Sequence, residues 1–277
     1  MKKRLKRLSW ILFPHRFAKR YLSYEDTWAE IEEAIVPIFL SKTTECVDVG
    51  ANYGRYTVLM SLFSRHVHAF EPSSECVASL QNMCLPNASI YHCALSSAEG
   101  FSEYFVPVEE GNRISGLGTL DRSVLSAYRN VDALRVPTYT LDSLCAKSIS
   151  FVKIDVEGHE MDVLNGGRKL ISEQKPVFMV EAEERHCAST VQRTKEFFYE
   201  FDYQGFYILE EKVFPFVSFD YELQNCKELA RSTTRRQMRY VNNFIFVPPS
   251  LNVESVIEKM SARLSDKTRF PSHRTRS

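Results

Sequence analysis

Val47-Asp48-Val49-Gly50-Ala51-Asn52-Tyr53-Gly54-Arg55-Tyr56-Thr57 reads as a buried strand, a tight glycine turn and the opening of a helix. An acid closes the strand. Backbone N–H groups and a carboxylate then meet at the edge of a parallel sheet, the position where α/β folds hold nucleotide-like ligands. Further on, His66-Val67-His68-Ala69-Phe70-Glu71-Pro72 reads as a second strand ending in a second acid. A carboxylate there can accept hydrogen bonds from both hydroxyls of a ribose.

The glycine spacing selects among nucleotides. A dinucleotide site wants G-x-G-x-x-G, so that backbone and helix N-terminus approach a pyrophosphate. Here Ala51, Asn52 and Tyr53 separate Gly50 from Gly54, and the middle glycine is missing. Asp48 also places negative charge where a pyrophosphate would be repelled. A ribose-bearing ligand with a cationic amino-acid portion fits better, and S-adenosylmethionine is such a ligand.

Four pieces in order, Asp48 to Gly54, Ala69 to Pro72, Ala94 to Ser96 and Lys153 to Glu160, resemble the FkbM family of S-adenosylmethionine-dependent methyltransferases. The likeness covers roughly residues 45 to 185 and extends to Asn242-Asn243-Phe244. Ser97 departs from it, standing where the family often has an acid. The resemblance implies a Rossmann-like class I fold, with a mostly parallel seven-stranded sheet and helices on both faces. It implies that Asp48, Gly50, Ala51, Asn52 and Gly54 line the methionine portion of the cofactor. Glu71 would hold the ribose, and Ala94 to Ser96 would lie near the adenine. It further implies O-methylation of a small molecule, with a sugar hydroxyl of a lipid-linked or surface glycan as first choice and a polyketide hydroxyl as second. A dehydrogenase and a non-catalytic cofactor binder are the readings from other classes. The missing glycine and Asp48 disfavour the first, and the intact segment from Lys153 to Glu160 disfavours the second.

In that segment Lys153 and Asp155 point to one face of a strand. Asp155 ends it at the carboxyl edge, beside the first strand and close to the transferring methyl, and serves cofactor and acceptor alike. Glu157 and His159 follow at the mouth, with Gly158 permitting an unusual backbone angle. His159 titrates near neutrality and is the expected base; Asp155 is the alternative. Glu160 is expected to cap the next helix, where an acid is favourable. A buried Lys153 needs a carboxylate partner. Glu181, Glu183, Glu184, Arg185 and His186 follow the fifth strand on the same edge, suited to hydrogen bonds with a polyol or to plain solvation. Their donor set is poor evidence for a metal, and none is expected. Asn112 to Leu120, with hinge glycines, is expected to be a lid.

Elsewhere the periodicity predicts a helix from Trp28 to Leu40, capped by Asp26 or Thr27, and helices over Tyr56 to Phe63, Glu75 to Met83 and Met161 to Ile171. Strands are expected at Cys46 to Val49, Val67 to Phe70, Ser89 to Cys93, Phe101 to Val108, Phe151 to Ile154 and Pro176 to Val180. Gly205 to Leu209 and Phe244 to Val247 should form an antiparallel pair. Glu109 to Arg122 is too glycine-rich for a regular element. Strands alternating with helices imply the parallel sheet.

At 277 residues the chain suits one such domain, residues 26 to 250, between an N-terminal segment and a C-terminal tail. Its net charge of zero offers no field for nucleic acid. Seven scattered cysteines without a C-x-x-C pair suit a reducing cytoplasm. Residues 1 to 25 combine Lys2, Lys3, Arg4, Lys6, Arg7, Arg16, Lys19 and Arg20 with Phe13, Phe17 and Tyr21. The apolar run around Trp10 is far short of the roughly 20 residues a membrane span needs, which leaves two readings: a solvated leader whose aromatics pack on the domain, or a peripheral foot on an anionic membrane. The tail from 251 to 277 is expected to be helical, then polar and basic.

Overall fold

The computed structural model describes residues 30–224 and 240–266. The basic-aromatic segment, the caps at Asp26 and Thr27, Trp28 and the tail from 267 onward lie outside them. Strands β1 (Glu45–Val49), β2 (His66–Phe70) and β3 (Ala88–Tyr91) run parallel, linked by helices α1 (Arg55–Phe63) and α2 (Ser74–Met83). The chain then leaves the sheet through β4 (Ala94–Leu95), β5 (Gly100–Glu109), β6 (Asn112–Arg113) and β7 (Val131–Tyr139). These make a small second sheet in the order β4-β7-β5-β6. The main sheet resumes with β8 (Ile149–Ile154), helices α3 (Glu160–Asn165) and α4 (Arg168–Gln174), β9 (Val177–Glu181) and helix α5 (Thr190–Tyr199). It ends with β10 (Gln204–Leu209), β11 (Lys212–Pro215) and β12 (Asn243–Val247), after which helix α6 (Val253–Ser265) follows.

The main sheet reads β11-β10-β12-β9-β8-β1-β2-β3. Five neighbouring strands, β9 to β3, are parallel; β12, β10 and β11 pair antiparallel. The expected count of seven becomes eight because β11 folds back on β10 through Glu210 and Glu211. Both have positive φ, 49° and 62°, the twist of a type I′ hairpin turn. That turn usually advertises itself with Asn or Gly, so two glutamates gave no signal.

Burial on both faces explains the apolar strands. In β9 Phe178 and Val180 enter one core, and Val177 and Met179 the other; in β12 Phe244 and Phe246 oppose Ile245 and Val247. The first core is aromatic, with Phe198 stacked on Phe246 at 4.0 Å and Phe216 on Phe244 at 4.5 Å. Helix α6 adds Val256, Met260 and Leu264, one stripe at helical spacing, to the second core.

Two expectations are corrected, and one strand is new. The predicted helix before the first strand is two 3-10 turns, Ile31–Ala34 and Val36–Phe39; Pro37 lacks the N–H that an α-helix needs there. The predicted helix from Met161 to Ile171 is α3 and α4, broken at Gly166-Gly167, a pair of weak helix formers. The new one is Val131–Tyr139, a strand despite Pro137, which pairs with β5 from Gly100↔Thr138 to Pro107↔Val131. Among the described residues no helix is long and apolar enough to cross a membrane.

Candidate active site

The site forms where β1, β2 and β8 end side by side. Gly50 leaves β1 with φ +79°, and a Cβ there would lie 1.8 Å from the backbone oxygen of Asp155. Only glycine tolerates both demands. The N–H groups of Gly50 and Ala51 donate to the Phe70 carbonyl at 3.0 and 3.1 Å, and Asp155 N–H donates to Val49 at 3.0 Å. The turn is thus clamped to both neighbouring strands. Asn52 continues it with φ +49° and donates its N–H to Glu71 Oε2 at 2.7 Å; Ser73 N–H donates to Oε1 at 2.8 Å. Glu71 is therefore aimed at the turn by two amides.

One cavity joins these parts. Its lining includes Gly50, Asn52, Glu71, Ala94, Asp155, Glu157 and His159. Leu95, Pro72 and Val156 add apolar lining. Three anticipated cofactor residues stand behind this surface. Asp48 is buried beneath the turn and accepts from Thr57 Oγ1 at 2.5 Å. Ala51 packs with Ala69 and Leu80, and Gly54 opens α1 facing Leu80. They shape the turn rather than line the cavity.

The glycine-rich segment also lines the cavity, with Ser115, Gly116, Gly118, Thr119 and Leu120. It is pinned in three places. Ser115 Oγ donates to Glu75 Oε2 at 2.5 Å, Tyr104 donates to the Ser115 carbonyl at 3.4 Å, and Thr119 exchanges backbone bonds with Phe105. Sequence reasoning found the segment through its glycines but not Tyr104 or Glu75, whose roles depend on strand pairing and helix placement.

Lys153 is 1% exposed and has the carboxylate partners its burial requires. Its Nζ lies 3.5 Å from Asp155 Oδ2 and 3.7 Å from Glu181 Oε2, and donates to Asn243 Oδ1 at 3.1 Å. Burial opposes its charge, but Asp155, Glu181, Glu30 and Asp48 more than offset this and raise its pKa. Glu181 is itself pushed up by burial and by Asp155, and accepts from Asn242 at 2.5 Å. Asn242 and Asn243 thus tie the late motif to the central one.

His159 begins α3. Its Nε2 is 2.9 Å from Ser96 Oγ and its Nδ1 3.5 Å from Asp162 Oδ2. Burial lowers its pKa. Glu157 has φ +53°, and His186 Nε2 lies 3.0 Å from its Oε2. Arg185 bonds Glu183, which Tyr240 and Asn242 also reach. Glu160 stands in the first turn of α3 as expected, but buried, with Oε1 accepting from Gly158 N–H at 2.9 Å. Among the described residues no cluster of three His, Cys, Asp or Glu suits a metal.

Burial pushes Asp48 up to about 6 and both Glu71 and Glu160 up to about 7. The folded state then binds more protons than the unfolded chain above pH 4, so stability falls as pH rises through these values. His186 acts in the same sense. Burial lowers its pKa, Glu157 outweighs that, and the net shift is upward. His159 and His66, held neutral by burial, oppose the trend just below pH 6.5. The thermal midpoint of the free protein is expected to drop between pH 5 and pH 8, as a scan by circular dichroism would show; a midpoint rising over that interval contradicts the burial of these carboxyls.

A family model described as the methyltransferase FkbM domain matches residues 48–206. Similar solved structures include a methyltransferase FkbM from Methylobacillus flagellatus KT, with 17% identity and a TM-score of 0.47, covering 75% of this chain and 44% of that one. This chain therefore spans less than half the length of that protein. A methyltransferase from Streptococcus mutans in complex with SAH shows 8% identity and a TM-score of 0.41, over 78% of this chain and 94% of that one. A SAM-dependent O-methyltransferase from Thermotoga maritima shows 12% and 0.40, over 79% and 63%. Among curated proteins none matches the sequence.

Proposed function

Because the chain belongs to the FkbM methyltransferase family and is thereby an S-adenosylmethionine-dependent methyltransferase, we propose that it methylates a hydroxyl of a glycan. The observation that carries the reading is the cavity wall. Glu71, fixed by two amides, lines the same cavity as Gly50, Asp155 and Glu157. The cofactor supplies an already activated methyl on a sulfonium. This chain's residues then bind, orient and exclude water. Glu71 would take the ribose hydroxyls, since each of its oxygens keeps a lone pair beyond its amide bond. The Gly50 to Asn52 turn would meet the methionine portion, with Asp48 holding the turn from below through Thr57. Ala94 and Leu95 would border the adenine. The carboxylates suit a cationic ligand far better than a pyrophosphate. Asp155, Glu157 and His159 line the same cavity as polar groups beside one another in the chain, which favours a polyol acceptor. A membrane-linked glycan would make use of the basic segment at residues 1 to 25.

Calorimetric titration with S-adenosylhomocysteine, with NAD as control, tests the cofactor assignment. Micromolar binding of the first alone is expected; binding of NAD alone would sink it. Glu71 adds a pH signature. Burial holds it near neutral-form dominance below about pH 7, whereas ribose hydroxyls donate to the carboxylate. Affinity is expected to weaken up to tenfold per pH unit below that value and to lose this dependence in Glu71→Gln, which binds weakly throughout. A pH-independent wild type would remove Glu71 from the ribose.

A further inference from the structure

Three side chains at the mouth could take the proton of an acceptor hydroxyl, and the sheet order separates them. Asp155 is the counter-ion of buried Lys153, which it shares with Glu181. His159 leans toward the cofactor side, because its Nε2 meets Ser96, directly after Leu95 of β4, and its Nδ1 faces Asp162. Glu157 leans the other way, toward the loop after β9. Its Oε2 is held by His186, with the Arg185 guanidinium 3.9 Å away. Its other oxygen makes no hydrogen bond among the described residues, and Glu157 borders the cavity.

The backbone under this carboxylate is held in an unusual form. Glu157 is left-handed, a conformation that is strained for a residue with a side chain and clusters at functional sites, and Gly158 follows at φ +100°. A Cβ on Gly158 would lie 2.8 Å from Val124 Cγ2 and 3.3 Å from His186 Cβ. The turn is seated directly against His186, which is almost fully buried.

Resting on the hydroxyl-acceptor reading, we propose that Glu157 accepts the acceptor's proton and that His186 is its positioning residue, with His159 serving the cofactor side. The acceptor oxygen attacks the methyl carbon, and the carbon–sulfur bond breaks with its electron pair going to sulfur. The hydroxyl proton passes to the open oxygen of Glu157 and leaves to solvent with the product. The charged and titratable groups facing the pair are Arg185 and Glu183 from the loop after β9, Glu160 from α3 and Tyr104 from β5. Glu183 is already satisfied by Arg185, Tyr240 and Asn242, which leaves Glu157 as the hydrogen-bonded carboxylate of His186.

The test uses the full chain with S-adenosylhomocysteine bound and its histidine Cε1–H signals followed by NMR against pH. The His186 signal is identified by its loss in His186→Gln. Its midpoint is expected above the ordinary value of about 6.5 and should fall by about one unit in Glu157→Gln; an identical midpoint in both overturns the pairing. Methyl glycosides and glycerol then serve as hydroxyl probes, with S-adenosylhomocysteine formation from S-adenosylmethionine measured between pH 5 and pH 9. Glu157→Gln should lower the rate about 100-fold or more while binding S-adenosylhomocysteine as wild type does. His186→Asn should move the acid limb of the rate profile upward, since the carboxylate loses its donor. A wild-type rate in Glu157→Gln, or an unmoved limb in His186→Asn, overturns this inference alone. Wild-type protein that binds S-adenosylhomocysteine yet methylates no probe overturns the hydroxyl-acceptor reading, and this inference with it.

Discussion

Gly50→Ala is expected to abolish S-adenosylhomocysteine binding and to destabilise the fold by about 4 kcal/mol, in the range reserved for substitutions with a named structural cause. The obstacle is backbone. The new Cβ would sit 1.8 Å from the Asp155 carbonyl oxygen, at a φ of +79°. A flexible side chain could swing aside, but this carbonyl belongs to the residue whose N–H bonds Val49. Relief therefore requires β1 and β8 to part at the cavity itself. The same movement would displace the amides of Gly50 and Ala51 from Phe70 and the Asn52 amide from Glu71. Denaturant unfolding gives the stability loss, and calorimetry at low temperature, where the variant remains folded, gives the binding loss. An alanine variant that binds within threefold of wild type would falsify the close approach of these two strand ends.

Lys153→Met should cost about 3–5 kcal/mol at pH 8, the usual penalty for stranding one side of a buried ion pair. Lys153 is central to four carboxylates, and its charge lowers the pKa of Asp48, Glu181 and Glu32. Without it these acids rise further. The folded variant then binds more protons than the unfolded chain, so its stability increases as pH falls. The deficit against wild type should shrink between pH 8 and pH 5, as urea titrations at each pH would show. A pH-independent deficit would mean that lost packing of the methylene stem, not charge, dominates. The cluster also links the cofactor turn to the acceptor side, since Asp155 faces the cavity while Glu181 and Asn243 belong to β9 and β12. The variant should therefore lose activity in excess of its loss of folded protein.

Much of this site was legible because its residues come in short contiguous pieces. A strand exit and the turn after it are local events, so Gly50, Asn52, Glu71, Ala94, Asp155, Glu157 and His159 could be picked out before any packing was known, and all border the cavity. Asp48 was picked out by the same logic, yet its carboxylate turns to Thr57 one helical turn into α1. Which way a strand-end side chain leans depends on the next element, not on its own position. The helix expected ahead of the first strand failed for a different reason. Ile31, Ile35 and Phe39 carry the right period, but Pro37 sits inside it, and a local backbone rule outranks periodicity. Helix α5 and strand β7 left no signal strong enough to claim, because each depends on neighbours for its burial.

The sequence by itself determined the parallel core and the ligand edge. Apolar four- to six-residue runs closed by Asp48, Glu71 or Asp155 can bury both faces in only one kind of sheet, and that sheet brings those acids to a common edge. The tertiary structure alone decided the partners: Asn243 for Lys153 across 90 residues, Glu75 for Ser115 and His186 for Glu157. Periodicity tells which face a side chain occupies. Which charge or hydroxyl it meets there is a matter of distances between elements far apart in the chain, and those distances exist only once the whole core has packed.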